Sequence, residues 1–216
     1  MSFLPEGYTK AKSSPTLRPK PGRKGSGRVR VDWDKYPYRC SMLPKLMVKT
    51  KEYSDLLYQL FNQEVNGFEI VVETEAMLFG TEHEQESIDL INKVRGTQYT
   101  KVLRGRKNAY IQGTPDIKTP TCIIDIKTVQ SNTFKNLTRA IALKKYKWQL
   151  VGYCWLYGIN EAEIIFVDLT TVKIKSVKFT VTAEDIQELQ EAVEKWRKLC
   201  WTWWKQHINS PWEIPF

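Results

Sequence analysis

The segment "CIIDIKT", Cys122–Thr128, is the feature that most constrains the fold of this chain. Its apolar, β-branched residues predict a buried strand. Alternate side chains of a strand point to opposite faces, so Ile123, Asp125 and Lys127 share one face. Because isolated charges are costly to bury, Asp125 and Lys127 must lie side by side where their charges are balanced. A purely structural alternative has Lys127 neutralise Asp125.

Hydrophobic periodicity predicts the elements around this strand. We expect helices over 51–63, about 74–95 (ending at Gly96), 138–157 (ending at Gly158) and 182–206 (with Thr182 as N-cap), and strands over 99–105, 108–117, 121–128, 163–169 and 172–180. A basic turn, 104–107, is expected between the first two strands. The order helix, three strands, helix, strand predicts an α/β fold with a central mixed sheet flanked by helices, plus an extra C-terminal strand and helix.

Positive charge is concentrated at the start of the chain. The net charge is +9, and residues 1–30 contain eight Lys or Arg against Glu6 alone. This segment is also rich in Pro and Gly and too polar to bury a core. We predict a disordered basic arm over 1–34, which binds polyanions such as nucleic acid, followed by a single domain over 35–216. A solubilising tail without a partner is the alternative.

Several classes of protein are not indicated by this sequence. No apolar run is long enough to cross a bilayer, and the first residues lack the apolar segment of a secretory signal. The four cysteines, Cys40, Cys122, Cys154 and Cys200, do not have the spacing of a zinc or iron–sulfur site. We therefore expect a soluble cytoplasmic protein with reduced thiols, no membrane partner and no iron–sulfur cluster.

Asp116 follows Pro115 in the strand before "CIIDIKT". If the two strands form an antiparallel hairpin across Lys118–Pro120, Asp116 approaches Asp125. Two carboxylates this close repel each other unless a cation lies between them. Hard oxygen ligands of this kind suit Mg²⁺ or Mn²⁺. An all-structural explanation leaves Asp116 unexplained.

Glu84 is the acidic residue that shares the apolar face of the predicted helix 74–95. At helical spacing it aligns with Ile88 and Ile91, whereas the other face carries Glu82, Glu86, Asp89 and Lys93. Glu84 is thus a candidate metal ligand, with a rim glutamate or a structural ion pair as the alternative. We interpret the adjacent His83 as a supporting or satisfied helix residue rather than a ligand.

The helix 138–157 presents a polar stripe. Lys145, Gln149 and Tyr153 recur at i, i+4 and i+8 on one side of that helix. These side chains could orient a phosphate or an attacking water. Such triplets also occur along solvated helix edges.

Taken in order, these motifs resemble those of the PD-(D/E)xK nuclease superfamily, which has a restriction-endonuclease-like core. The set consists of Glu84 four residues after Gly80, "GTPD" with Asp116, "DIK" with Asp125 and Lys127, and "QLVGY" with Gln149 and Tyr153. Within the superfamily the chain is most similar to the phage-type recombination exonucleases, meaning the lambda-exonuclease and YqaJ group with its RecE- and RecB-like relatives. "YRCSML" resembles the stretch in which that group binds a 5′ phosphate, which makes Arg39 and Ser41 candidate contacts.

The resemblance implies a Mg²⁺- or Mn²⁺-dependent deoxyribonuclease, an exonuclease that processes DNA ends in recombination or replication and acts at 5′ ends. It implies metal ligation by Glu84, Asp116, Asp125 and the Ile126 carbonyl, with Lys127, Gln149 and Tyr153 completing the catalytic set. Arg104, Arg106, Lys107 and Lys145 are candidate DNA contacts or, alternatively, solvated surface cations. By family analogy the resemblance also implies a single-strand annealing protein as partner and a homo-oligomer.

Two alternatives to an end-processing exonuclease remain open. One is a structure-specific or restriction-like endonuclease of the same superfamily, and the other is a catalytically inactive DNA-binding module. The Trp-rich end of the chain could stack on unpaired bases, but we favour packing against the core. This end contains Trp196, Trp201, Trp203 and Trp204.

Overall fold

The computed structural model describes residues 16–19, 30–47, 52–71 and 75–207. The strands are β1 (Thr16–Pro19), β2 (Tyr38–Arg39), β3 (Phe68–Val71), β4 (Arg106–Lys107), β5 (Ile111–Gly113), β6 (Ile117–Lys118), β7 (Cys122–Thr128), β8 (Glu161–Asp168) and β9 (Lys173–Thr180). The helices are α1 (Leu43–Met47), α2 (Glu52–Leu60), α3 (Glu75–Glu82), α4 (Glu84–Arg95), α5 (Ser131–Asn136), α6 (Arg139–Tyr157) and α7 (Ala183–His207). A π-helical turn over Phe61–Asn66 follows α2, and short 3₁₀ turns cover Trp33–Lys35 and Cys40–Met42.

The main sheet has four strands in the order β6-β7-β8-β9 and is mixed, as predicted. β7 runs antiparallel to β6 and parallel to β8, while β9 runs antiparallel to β8. The parallel β7–β8 connection passes through α5 and α6, as parallel strands require a crossover. Strand β8 is buried along all but its first residue, as expected of a strand inside the sheet.

Apolar residues cover both faces of this sheet. On one face Ile123 and Phe166 belong to the large core that includes α6, α7 and Trp33. On the other face Ile88 and Ile91 of α4 pack with isoleucines of β6, β7 and β8. The alternation predicted for "CIIDIKT" is confirmed, because Ile123 faces the first core while Ile124 and Ile126 face the second.

Helix ends are set by the local sequence. Thr138 caps α6 by accepting a hydrogen bond from the main-chain nitrogen of Ile141, and Gly158 ends that helix with φ of 66°. Gly96 ends α4 in the same left-handed conformation, with φ of 64°. This conformation costs glycine little because it has no Cβ.

The predicted helix 74–95 is instead two helices, α3 and α4, with a distortion at His83. His83 has φ of −103° and ψ of 14°. Main-chain hydrogen bonds still span the junction, from His83 to Phe79 and from Ser87 to His83. The feature is therefore a kink. The junction itself, Glu82 to Glu84, contains neither proline nor glycine, so the local pattern gave no sign of a break.

The predicted strands 99–105 and 108–117 also need correction. Residues 99–105 contain only an isolated bridge, between Lys101 and Ile117. The predicted turn residues Arg106 and Lys107 form β4, which pairs antiparallel with β5. A second sheet, β2-β5-β4, thus lies beside the main one, and β2 and β5 run parallel. Pairing with residues about 70 positions earlier in the chain is a long-range property that the local pattern does not contain.

Parts of the predicted basic arm 1–34 lie outside the described residues. Of the described part, Thr16–Pro19 pairs antiparallel with Phe68–Val71. Trp33 is buried in the core at 1% exposure, so the folded unit begins before residue 35. The described part of the chain contains no helix with the length and apolar character that a bilayer crossing demands.

Candidate active site

Asp116 and Asp125 lie opposite each other across the β6–β7 hairpin. The register pairs Ile117 with Ile124, which places the residues just outside that pair face to face. The turn is fixed by Thr119, whose main-chain nitrogen and hydroxyl both donate to the carbonyl of Cys122. The hairpin predicted from the sequence is confirmed, and the two carboxylates approach as expected.

Asp125 is 2% exposed and lies on the α6 side of β7. Its Oδ2 is 2.7 Å from Nζ of Lys127, as their shared strand face predicted. Oδ2 nevertheless lacks an aligned hydrogen-bond donor among the described residues, although it is fully buried. Its Oδ1 accepts a hydrogen bond of 3.2 Å from Nε2 of Gln149. Asp125 is therefore held on one side by a lysine and on the other by an amide.

The electrostatics of the site are those of crowded acids. Burial and the charge of Asp125 together raise the pKa of Asp116 to about 7, against the lowering effect of its hydrogen bond from Ile126. Burial also raises the pKa of Asp125, and Glu84 adds to the effect. Burial alone would lower the pKa of Lys127, but the charges of Asp125 and Asp116 outweigh burial and raise it. Lys127 therefore carries its proton at neutral pH.

Glu84 comes from the first turn of α4, on the opposite side of the sheet from α6. The neighbouring Ile88 and Ile91 are fully buried, so the apolar face predicted for this helix is confirmed. The Glu84 side chain is 23% exposed and forms an ion pair of 2.5 Å with Lys101. The sequence did not reveal this partner, because the pairing joins residues 17 positions apart on different segments and depends on how those segments pack.

The donor set is chemically suited to a hard divalent cation. The carboxylate oxygens of Glu84, Asp116 and Asp125 are of the kind that such a cation prefers, and burial and mutual repulsion disfavour the charge on the two aspartates in the absence of a cation. In the described part of the chain, however, no group of three or more His, Cys, Asp or Glu is arranged to hold a metal. The side chains are instead paired internally, Glu84 with Lys101 and Asp125 with Lys127.

Helix α6 contributes the residues predicted from "QLVGY". Gln149 and Tyr153 are both buried, and Nε2 of Gln149 donates to the Tyr153 hydroxyl at 3.0 Å. Tyr146, which the sequence reasoning missed, lies three residues before Gln149 on the same stripe. The Tyr146 ring centroid is 5.3 Å from Nζ of Lys127 and 5.1 Å from Nζ of Lys145. Counting back three residues from Gln149, as well as the four that lead to Lys145, would have found it.

A cavity of about 580 Å³ lies next to Tyr153. It is lined by Arg39 and Ser41 from the β2 segment and by Arg106 and Lys107 from β4. Four of the residues proposed as phosphate or DNA contacts are thus brought together around one cavity. Cys40, Gly105, Gln112, Gly113, Thr114 and Tyr153 complete the lining, and the sequence did not indicate the first five of these.

The remaining predicted residues lie outside this cavity. Arg104 is exposed, and its carbonyl accepts a hydrogen bond from the Tyr157 hydroxyl. Lys145 is exposed on α6, where it lies over Tyr146. His83 contacts Glu86 at 2.7 Å and packs against Phe79, so it is a satisfied helix residue as interpreted. Trp196 is fully buried, and Trp201, Trp203 and Trp204 pack against the same core, as favoured above.

Comparison with solved structures identifies the fold. A phage-related exonuclease from Haemophilus somnus 129PT superposes with a TM-score of 0.72 over 80% of this chain and 96% of its own, at 22% identity. An alkaline exonuclease from Laribacter hongkongensis gives 0.65 over 81% and 94%, at 17% identity. This chain has the fold of the phage-type exonucleases.

The likeness to phage-type exonucleases is found by comparing structures rather than sequences. The Laribacter hongkongensis enzyme in complex with dAMP also superposes, with a TM-score of 0.62 at 17% identity. No family model and no curated protein matches the chain in sequence. The expected restriction-endonuclease-like core is therefore confirmed as a fold, and the activity has to be argued from the site.

Proposed function

We propose that this chain is a divalent-metal-dependent deoxyribonuclease that hydrolyses phosphodiester bonds at DNA ends. The observation that carries the proposal is that a cluster of acidic residues and a lysine lies next to a cavity lined by cationic residues. Asp116, Asp125 and Lys127 form a crowded acid–base cluster, and Gln149 and Tyr153 connect it to a cavity walled by Arg39, Ser41 and Arg106. Carboxylates beside a cationic cavity suit a substrate that is itself a phosphate polyanion.

The cavity supplies binding and orientation. Arg39 and Arg106 present guanidinium groups, which pair with phosphate through fixed, forked donors. Arg106 packs over the Tyr157 ring, with its guanidinium carbon 4.7 Å from the ring centroid, which restricts its position. Ser41 adds a neutral donor to the lining of the same cavity. We infer that this cavity holds a terminal phosphate while the neighbouring phosphodiester reaches the carboxylates.

The cluster supplies the chemistry. Glu84, Asp116, Asp125 and the Ile126 carbonyl would hold Mg²⁺ or Mn²⁺, which when bound stabilises negative charge on the reacting phosphate. Lys127 is protonated and restrained between Asp125 and the Tyr146 ring, so its charge is available to the transition state. Gln149 fixes the Asp125 carboxylate through Oδ1. Burial of these groups keeps their electrostatic interactions strong.

The test is cleavage of a linear, 5′-phosphorylated duplex and of a closed circular plasmid, each with Mg²⁺ and with EDTA. We expect the linear DNA alone to be degraded, only with Mg²⁺, and Asp125→Asn and Lys127→Met to lower the rate at least about a hundredfold. Asp89→Asn and Lys93→Met make the same chemical changes on the exposed face of α4 and serve as controls.

The other outcomes assign different functions. Cleavage of the closed circle would replace the exonuclease with an endonuclease. Binding of DNA without Mg²⁺-dependent cleavage of either substrate would leave an inactive binding module and overturn the proposal.

A further inference from the structure

The main chain around Lys101 is held from two sides. Asn92 of α4 binds the residue two positions earlier, because its Nδ2 donates to the carbonyl of Tyr99 at 3.0 Å and its Oδ1 accepts from the main-chain nitrogen of Tyr99 at 2.7 Å. On the other side, the main-chain nitrogen of Val102 donates to the carbonyl of Asp116 at 2.9 Å. The segment that carries Lys101 is therefore bound both to α4 and to the acidic residue at the start of the β6–β7 hairpin.

The side chain of Lys101 lies on the α4 side of the sheet. Lys101 and Ile117 face each other in an antiparallel bridge, which places their side chains on the same face. On that face Ile117 packs in one cluster with Ile88 and Ile91 of α4. From there the Lys101 ammonium reaches Glu84, with Nζ 2.5 Å from Oε2. The ion pair thus follows from the register of the sheet and the position of α4.

The two lysines that face the acidic residues are held to different degrees. The side chain of Lys127 is 24% exposed, and its Nζ is paired with Asp125 and lies over the Tyr146 ring. The side chain of Lys101 is 45% exposed, and among the residues that the structure describes its Nζ contacts Glu84 alone. Because an ion pair that is open to water contributes little free energy, the pair of Lys101 with Glu84 is the one that a competing cation can replace.

The charge balance opposes two cations at Glu84. Burial is the main cause that raises the pKa of Asp116 and of Asp125, and the charge of Glu84 adds to both shifts. When all groups are ionised, these three acids exceed the ammonium groups of Lys101 and Lys127 by one charge, so a divalent ion would make the net charge positive. An ammonium and a divalent ion at one carboxylate also repel each other directly. Each cation therefore weakens the binding of the other.

Resting on the proposed function, we propose that Lys101 is an internal counter-ion that competes with a divalent cation for Glu84 and thereby sets the metal affinity of the site. In the absence of the cation, Lys101 balances the charge of Glu84. When Glu84 ligates the cation, the Lys101 ammonium is repelled and turns into solvent, while its main chain stays bound to α4 and Asp116. A neutral side chain in place of Lys101 therefore tightens metal binding.

The experiment measures the affinity of the protein for Mn²⁺ without DNA, from the electron paramagnetic resonance signal of the free ion. The variants are Lys101→Met, which removes the charge, and Lys101→Arg, which keeps it. Lys93→Met is the matched control, because Lys93 is exposed on the same helix as Glu84. Both Lys101→Met and the wild-type lysine are also measured in a Glu84→Gln background.

We expect Lys101→Met to bind Mn²⁺ about five- to tenfold more tightly than the wild type, since one repelling charge is lost. Lys101→Arg and Lys93→Met are expected to stay within about twofold of the wild type. In the Glu84→Gln background, Lys101→Met is expected to change the affinity less than about twofold, because the carboxylate for which the two cations compete is gone. Unchanged or weaker binding by Lys101→Met overturns the inference, and weaker binding would make Lys101 an orienting partner of Glu84.

A second readout uses the wild-type side chain. The ammonium resonances of the lysines are followed by nitrogen-15 NMR during a Mg²⁺ titration, and the Lys101 resonance is identified by its loss in Lys101→Arg. We expect the Lys101 resonance to shift as the ion binds and the Lys93 resonance to stay in place. A Lys101 resonance that does not respond to saturating Mg²⁺ overturns the inference. If Lys101→Met fails to fold, this titration decides the question.

Failure of the inference and failure of the proposed function give different results. A wild type that cleaves linear DNA while Lys101→Met binds Mn²⁺ as the wild type does overturns the inference and leaves the nuclease. A wild type that binds Mn²⁺ in competition with Lys101 but cleaves no DNA removes the proposed function and leaves the inference. A wild type that binds no Mn²⁺ overturns both.

Discussion

Asp116 and Ile126 are joined across the β6–β7 hairpin by a hydrogen bond of 2.6 Å from the main-chain nitrogen of Ile126 to Oδ2 of Asp116. This bond ties an acid of one strand to the residue whose carbonyl is proposed as a metal ligand. It opposes the burial and repulsion that raise the pKa of Asp116 to about 7, but does not cancel them. The hydrogen bond therefore helps the charged hairpin to fold, but it leaves the pKa of Asp116 raised.

The first prediction concerns pH. The pKa of Asp116 is about 7 in the folded protein and near 3.8 in the unfolded chain, so the folded state binds the extra proton. Its contribution to stability is full below the unfolded pKa and is lost as the pH rises through 7. We expect urea unfolding in EDTA to show a free energy of unfolding about 2 kcal/mol lower at about pH 8 than at about pH 5.5 from this group. Asp116→Asn removes that difference, and a variant as pH-dependent as the wild type contradicts the assignment.

The second prediction concerns metal addition. A divalent cation relieves the repulsion between Asp116 and Asp125, so it binds the folded state and stabilises it. We expect millimolar Mg²⁺ or Mn²⁺ to raise the Tm of the wild type by about 2–5 °C relative to NaCl of equal ionic strength. Asp89→Asn is expected to keep this shift and Asp125→Asn to lose it. Equal shifts in both variants would place the cation elsewhere.

The third prediction concerns an ion pair outside the candidate active site. Arg95 of α4 contacts Glu163 of β8 through two hydrogen bonds of 3.0 and 2.7 Å. Burial would raise the pKa of Glu163, but the Arg95 guanidinium outweighs burial and lowers the pKa. The ion pair therefore stabilises the fold at neutral pH, and this contribution is lost as the pH falls below the usual range of a glutamate.

Removal of one partner of this pair leaves an unpaired charge buried in the sheet. Arg95→Met is expected to cost about 3–5 kcal/mol in urea unfolding. The double variant Arg95→Met, Glu163→Leu should recover most of this loss, with cleavage per folded molecule unchanged throughout. An additive double variant would show that the two residues do not act as a pair.

The fourth prediction concerns packing at Gly113. Gly113→Ala forces Tyr153 and Cys40 apart, so we expect a loss of about 1–3 kcal/mol in stability. Displacement of Tyr153 should also lower the cleavage rate about tenfold. Gly80→Ala is the control for stability, because a methyl there meets nothing within 4 Å and a helical Gly→Ala change gains about 1 kcal/mol. Full stability of Gly113→Ala would contradict the close packing.

The sequence predicted those features whose causes are local. Alternation identified β7 and the shared face of Asp125 and Lys127, and Thr138 and Gly158 marked the ends of α6. Helical spacing selected Glu84, Gln149 and Tyr153. These features were recoverable because the period of side chains along one element decides which of them share a face.

Features that depend on distant segments were not predictable in this way. The ion pair of Glu84 with Lys101 joins a helix to an irregular connection. The second sheet pairs β2 with β5 and draws Arg39 and Ser41 beside Arg106. No local pattern records which short segments pair, because that choice is made by packing over the whole domain.

Strand β9 pairs on one side with β8 and, within the described chain, with no strand on its other side. An eight-residue open edge of this kind invites a second chain to add a strand, which is the first step of self-association. Lys173 and Lys178 are exposed along this edge, and Arg139 donates to the main-chain carbonyl of Lys178. Charge neutralisation along β9 would therefore be expected to promote aggregation at a place where no catalytic group is disturbed.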